Sequence, residues 1–423
     1  MVAAWPSTTH VYPVVPLVWA LQSAGHEVRV ATYPSMADAI TKAGLNAVVL
    51  GECEELPTKP IIDEQHLAGV TEALKLSPHE SVLWAFFRHR VLPVLSKFHA
   101  DRPAAAGHRP MADDLIDFAR TWRPDLILWD ASFFAAPLAA RACGAAHARL
   151  MIGVDYWAWS REIFRERLGD RHPQWGSDPL ADLLQPLFER YGVESDDEMF
   201  IGQWTVDPTP PRMQLPLDVR YVPVRAVPYN GAVAVPPWVH EPPTRPRVCL
   251  TAGLSGRERM VASGVSLPEL IRSLAELDIE LVATLNKDQL DDDLPLPDNV
   301  RLVDYMPLDL LLPSCAAVLH HGGPGTFAAA IAARVPQLIT GVLSSWDNGA
   351  SAPAAQYVVE RQAGLAVDQE SFSADVLKSG VSRLLEDVSF REGTMALYED
   401  LLAAPSPAAI VPALERLTAL HHG

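Results

Sequence analysis

The stretch LHHGGPGTFAAA (Leu319–Ala330) sets two imidazoles beside three glycines and a proline and then runs into alanine. Glycine lacks the Cβ that keeps a ligand off the backbone. A helix that starts just behind such a turn offers unpaired N–H groups and the positive end of its dipole. Ala317–Leu319 reads as a strand and an alanine-rich helix is expected from near Thr326, so a pyrophosphate fits the turn formed by Gly322, Gly323, Pro324 and Gly325. His321 and the Thr326 hydroxyl would each add a contact, whereas His320 reads as the end of the strand. The Gly-Lys-Ser/Thr ending of a Walker A loop is missing. The turn also does not follow the first strand, where a dinucleotide fingerprint sits. The plainer alternative is a tight turn whose small residues let helix and sheet pack closely.

A second constellation lies far away in the chain. His10, in PSTTHVYPVVPLVWAL, falls between the first expected strand and the first expected helix, at the carboxyl edge where α/β ligands bind. Asp130 ends DLILWD at the same kind of edge. A buried Asp accepting a proton from His would fix the imidazole tautomer and make the other nitrogen a general base. Alternatively Asp130, or Ser132, caps the SFFAAPLAARA helix. Gly253, Ser255 and Gly256 in CLTAGLSGRER suit backbone and hydroxyl contacts to phosphate, or a plain loop. Tyr305 and Met306 end a further strand, where an aromatic beside exposed backbone suits a nucleobase, although a core Tyr is the commoner case. GVDYWAWSREIF supplies Tyr156, Trp157 and Trp159, which would line an apolar acceptor pocket or fill a helix–helix core. DDDLP (Asp291–Pro295) has no partner at ligand spacing and reads as a solvated acidic loop rather than a metal site.

Short apolar runs carry these residues. They are 2–5, 27–32, 46–51, 125–130 and 147–153 in the first half. In the second half they are 247–253, 279–285, 300–306, 317–322, 336–342 and 364–368. Runs without polar alternation suit parallel strands covered on both faces. Helix-like segments lie between them, such as PLVWALQSAG (Pro16–Gly25), with Pro near its start and Gly near its end. Strand–helix alternation repeated twice predicts α/β architecture with two doubly wound Rossmann-like domains. The boundaries read as 1–225 for the first domain, 226–246 for a proline-rich linker and 247–405 for the second domain. A terminal helix, 406–423, packs back on the first domain in this reading. The first strand is short for a central parallel strand, which puts the true start in question.

The chain has 423 residues, enough for about two domains. The net charge of −18 argues against a nucleic-acid partner, which needs a Lys/Arg surface. Its four cysteines, Cys53, Cys143, Cys249 and Cys315, show no CxxC spacing and read as reduced thiols. No apolar run approaches the ~20 residues of a membrane span, and no basic segment precedes an apolar one at the N-terminus. Cytoplasmic is the expected location.

HHGGPGT followed by VPQL and WDNGA resembles the donor-binding signature of family 1 glycosyltransferases of the GT-B fold. THVYPVVPLVWALQSAGHEVRVAT resembles their first strand–helix–strand unit. WRPDLILWD, FAAPLAA, HARL, GQWTVDP, RVCLTAGLS, LLPSCAAVLHHGGPG and LLAAPSP narrow the resemblance to actinobacterial antibiotic glycosyltransferases, the macrolide desosaminyltransferase group and its anthracycline relatives. The resemblance implies two domains facing across a cleft and an inverting, metal-independent transfer from a dTDP-deoxysugar to a hydroxyl of a polyketide aglycone. It makes His10 the base and Asp130 its partner. It gives the donor to Gly253, Ser255, Tyr305, Met306, His321, Gly322, Gly323, Pro324, Gly325 and Thr326, with Trp346 and Asp347 near the sugar. Many relatives carry Asp-Gln where this chain has Ser344 and Ser345, a change a donor with fewer hydroxyls would tolerate. Some members of the group need a cytochrome-like auxiliary activator protein, for which the stretch from Pro57 to Arg120 is the candidate surface. A homodimer is a further assembly the resemblance admits. A sugar-nucleotide epimerase and a non-catalytic binder are the other readings of the same scaffold.

Overall fold

The computed structural model describes residues 1–51, 63–96, 110–253, 267–285, 296–340, 351–368 and 370–422. The chain divides into two compact units, one formed by Met1–Val224 with Pro405–Gly423 and the other by Arg225–Ala404. The proline-rich stretch after Arg225 therefore belongs with the second unit.

The first unit holds a seven-stranded parallel sheet in the order β3-β2-β1-β4-β5-β6-β7. Its strands are β1 (Val2–Ala3), β2 (Val30–Thr32), β3 (Ala47–Val49), β4 (Leu126–Asp130), β5 (Ala146–Leu150), β6 (Trp204–Asp207) and β7 (Tyr221–Pro223). The second unit holds six, in the order β10-β9-β8-β11-β12-β13. They are β8 (Arg247–Thr251), β9 (Glu280–Thr284), β10 (Val300–Val303), β11 (Ala317–His320), β12 (Gln337–Thr340) and β13 (Gly364–Val367). Both sheets are the expected doubly wound, Rossmann-like α/β arrangement. In each, the order reverses at the first strand, so a crevice opens at the carboxyl ends of β1 and β4, and of β8 and β11. Register sets Ala3 opposite Trp129 and Thr251 opposite His320, one residue before or at the two candidate clusters.

Two strands escape a search for apolar runs. β6 alternates Trp204 and Val206 with Thr205 and Asp207, yet all four are buried. The polar pair is satisfied internally: Thr205 donates to the Ile201 carbonyl, and Asp207 accepts from the Thr209 amide and Gln214. β7 is a three-residue edge strand ending in Pro223, which an edge tolerates.

The first helix spans Thr8–Ser23, eight residues earlier than Pro16 suggests. Pro13 and Pro16 lie inside it. Each removes one backbone N–H, but seven buried apolar residues hold this helix in place, packed in part against the Pro407–His421 helix. Likewise, the glycine turn of the second unit ends at Gly323, and the helix behind it is Pro324–Ala333 rather than one starting at Thr326. Proline fits the first helical position, where no N–H is needed.

The C-terminal helix, Pro407–His421, is capped by the Ser406 hydroxyl and buries Ile410, Val411, Leu414 and Leu417. It lies with the first unit, against the Thr8–Ser23 helix and β5. Among the described residues no helix is long and apolar enough to cross a membrane.

Candidate active site

β1 ends at Ala3, and the Trp5-Pro6 turn leads to Ser7, whose extended backbone opens the first helix. His10 is the third residue of that helix, not a loop residue ahead of it. The helix fixes its side chain over the end of β4. There His10 Nδ1 lies 2.8 Å from Asp130 Oδ2. A carboxylate can only accept, so the neutral ring carries its proton on Nδ1 and presents an unprotonated Nε2. The other Asp130 oxygen accepts the Ser132 amide at 2.9 Å. Asp130 thus orders its own turn and orients His10, but it does not cap the following helix, Ala135–Cys143, which starts without a side-chain cap. The His10 side chain is 19% exposed and that of Asp130 only 3%, so a substrate meets the ring and not the carboxylate.

The neighbouring strands of the sheet are braced from within. Arg149 on β5 is fully buried and pairs with Asp155, which also caps the Tyr156–Leu168 helix through the Ala158 amide and accepts from Tyr221 on β7 at 2.8 Å. Arg149 further reaches Thr205 on β6. Burial and the nearby Asp155 carboxylate push the Tyr221 phenol well above its ordinary value.

Tyr156, Trp157 and Trp159 all lie in the apolar core of this unit, each less than a tenth exposed. Tyr156 packs against Phe86 with ring centroids 4.4 Å apart. Of the two readings of GVDYWAWSREIF, the structure describes the core one. Trp157 Nε1 is nevertheless buried without a hydrogen-bond partner among the described residues.

In the second unit the two histidines of the opening stretch separate. His320 is wholly buried at the end of β11. Its Nδ1 accepts the Gly322 amide at 3.1 Å, and its Nε2 lies 2.9 Å from Gln337 Oε1 on β12. Burial brings its pKa down to about 3. His321 turns the other way. Its Nδ1 is buried without a partner among the described residues, and burial lowers its pKa to about 4, so near neutrality it is an uncharged imidazole with one N–H to give.

The glycines are bare for a reason other than ligand approach alone. A Cβ on Gly253 would lie 2.8 Å from His321 Cε1, and one on Gly323 would lie 2.4 Å from His321 Nε2. These two glycines make room for the imidazole. Gly322, with φ +82°, presses its bare face on Ser351 Cβ at 2.9 Å. Of these four glycines only Gly325, in the first turn of the helix, would set a Cβ more than 4 Å from the other described residues. It lies beside Thr326, which is buried, at a helix start with no side-chain cap, so the orphan amides there are those available to an anion.

Tyr305 donates to the Asn230 carbonyl and is partly buried, and Met306 places its side chain in the core, leaving only its backbone for a base. Ser255, Trp346, Asp347 and the Ser344–Ser345 pair lie outside the described residues, as does DDDLP. Among the described residues no three His, Cys, Asp or Glu side chains gather as a metal-ligand set. The His320–Gln337 pair and the buried Arg149–Asp155 network were missed from sequence. A polar residue inside an otherwise apolar strand (Arg149 in HARL, Gln337 in PQLIT) is the signal that would have found them.

Residues 19–253 match the family described as erythromycin biosynthesis protein CIII-like, N-terminal domain, and residues 268–417 match its C-terminal domain. The chain is 43% identical to aclacinomycin-T 2-deoxy-L-fucose transferase of Streptomyces galilaeus, over 98% of this chain and 94% of that protein. It is 40% identical to 10-deoxymethynolide desosaminyltransferase of Streptomyces venezuelae, over 98% and 95%. Among solved structures it is similar to the glycosyltransferase VinC in complex with dTDP. The TM-score is 0.81, with 35% identity, covering 99% of both chains.

Proposed function

The chain belongs to the erythromycin biosynthesis protein CIII-like family of glycosyltransferases, and from that premise we propose that it moves a deoxysugar, an aminodeoxysugar in the first instance, from dTDP to a hydroxyl of a macrolide or aromatic polyketide. The observation that carries the mechanism is the 2.8 Å His10–Asp130 bond, which leaves Nε2 free. His10 Nε2 takes the acceptor hydroxyl proton as the oxygen attacks the anomeric carbon. Asp130 holds the tautomer and stabilises the imidazolium that forms. The bond from the anomeric carbon to the β-phosphate oxygen breaks, and its electron pair leaves on dTDP. Entry opposite the leaving group inverts the anomeric centre.

In the donor half-site, the neutral His321 and the amides at Gly325 and Thr326 receive the developing pyrophosphate charge, fixed in place before the reaction. The Met306 backbone faces thymine. No metal takes part in this scheme, so chelation by EDTA leaves turnover unchanged. A cytochrome-like activator docks on the stretch from Pro57 to Arg120, in whose described part Phe87–Val91 forms one π-helical turn. A homodimer and a cytoplasmic setting complete the proposal.

The experiment is product analysis by mass spectrometry with a dTDP-deoxyaminosugar and a panel of macrolide and aromatic aglycones, with and without an activator. A thermal-shift comparison of dTDP with UDP accompanies it. Glycosylated product and a larger shift with dTDP are expected. Donor conversion without an acceptor, or no product across the panel, contradicts the reading.

A further inference from the structure

We propose that His320 is a positioning residue of the donor half-site: its imidazole clamps the Gly322 amide and so holds the turn that aims His321 and the first turn of the Pro324–Ala333 helix. The inference rests on the donor-site reading above.

Three observations carry it. His320 joins β12 to the turn in one line of bonds. Gln337 Oε1 accepts from Nε2, and Nδ1 accepts from the Gly322 N–H, so the tautomer is fixed with its proton on Nε2. The turn it holds is demanding. Gly322 sits at φ +82° with its bare face against Ser351 and Ile339, a conformation and a spacing that only glycine accepts. Finally, the turn lies between the groups that the donor-site reading assigns to the ligand: His321 precedes Gly322, and Gly325 and Thr326 follow it. The His321 ring lies against Gly323 and Gly253 with no slack, so a shift of the turn moves the ring. Burial keeps His320 unprotonated throughout the working pH range, and the acceptor nitrogen stays an acceptor. An apolar residue of the same size would fill the space and leave the Gly322 amide and Gln337 Oε1 unpaired.

The test separates clamping from mere space-filling. In His320→Asn the side-chain oxygen takes the place of Nδ1 and accepts from Gly322, but does not reach Gln337. In His320→Gln the longer amide reaches Gln337 and loses Gly322. The full-length protein and both variants, with His321→Ala as the control for the donor site, are titrated with dTDP by calorimetry, and KM is measured for donor and acceptor. The expected result is a dTDP Kd within ~3-fold of the parent for His320→Asn. For His320→Gln a rise of ~10-fold or more is expected, confined to the donor KM. Equal affinity of the two variants, or tighter binding by the larger Gln, overturns the clamp while leaving the donor site intact. Failure of the parent to bind dTDP, or no loss in His321→Ala, overturns the donor-site reading and the clamp with it.

Discussion

At His10 the useful lone pair is the one Asp130 does not touch. Because Asp130 Oδ1 is already committed to the Ser132 amide, an Asn at 130 would keep its oxygen there and turn its NH2 toward His10. That would reverse the imidazole tautomer and put the proton on Nε2, where the base should be. Asp130→Asn is therefore expected to lower kcat by about 10²-fold or more with dTDP affinity unchanged, a split that steady-state kinetics and calorimetry resolve. Gly325 offers a sharper contrast. A Cβ there would meet none of the described residues within 4 Å, and Gly325 is helical, so Gly325→Ala should raise stability by about 0.5–1 kcal/mol. The same methyl group would stand where the pyrophosphate is proposed to lie, and dTDP affinity should fall. Tight dTDP binding in that variant would move the phosphate site elsewhere.

Strands with uninterrupted apolar runs were legible because both faces of a parallel sheet are buried: Leu126–Asp130 and Ala317–His320 stand out in any scan of the chain. β6 was not, because Thr205 and Asp207 are polar residues whose partners lie far along the chain or across a turn. The start of the first helix was hidden by Pro13 and Pro16, whose local preference is overridden by burial of the surrounding valines and leucines. His10 and Asp130 could be suspected as a pair from their places at two strand ends. The division of labour between His320 and His321 could not, since it depends on which way each ring turns. Nor could the bracing of β5, β6 and β7 by Arg149 and Asp155. Asp155→Asn leaves a buried guanidinium without its counter-charge and should cost roughly 3–5 kcal/mol in urea unfolding. A loss under about 1 kcal/mol would show the pair to be dispensable.

Across the whole molecule, buried neutral histidines make the fold sensitive to acid. Burial holds His147 at about 4 and His320 at about 3. The unfolded chain protonates both near pH 6.5, so it binds more protons than the native state below that pH, and stability falls as pH falls. Each group removes up to about 1.4 kcal/mol per pH unit, from near 6.5 down to its native value. His320→Asn should make the slope of unfolding free energy against pH shallower by about one proton between pH 6 and 5, measured by denaturant titration. Parallel slopes would contradict the buried, neutral assignment. The proposed base lies in one unit and the proposed anion cradle in the other, each at the reversal point of its own parallel sheet. The most direct test of that account is single-turnover transfer by His10→Ala, with saturating dTDP-deoxysugar and an aglycone the parent accepts. The account predicts a rate at least ~100-fold lower with dTDP affinity unaltered. An undiminished rate would contradict it.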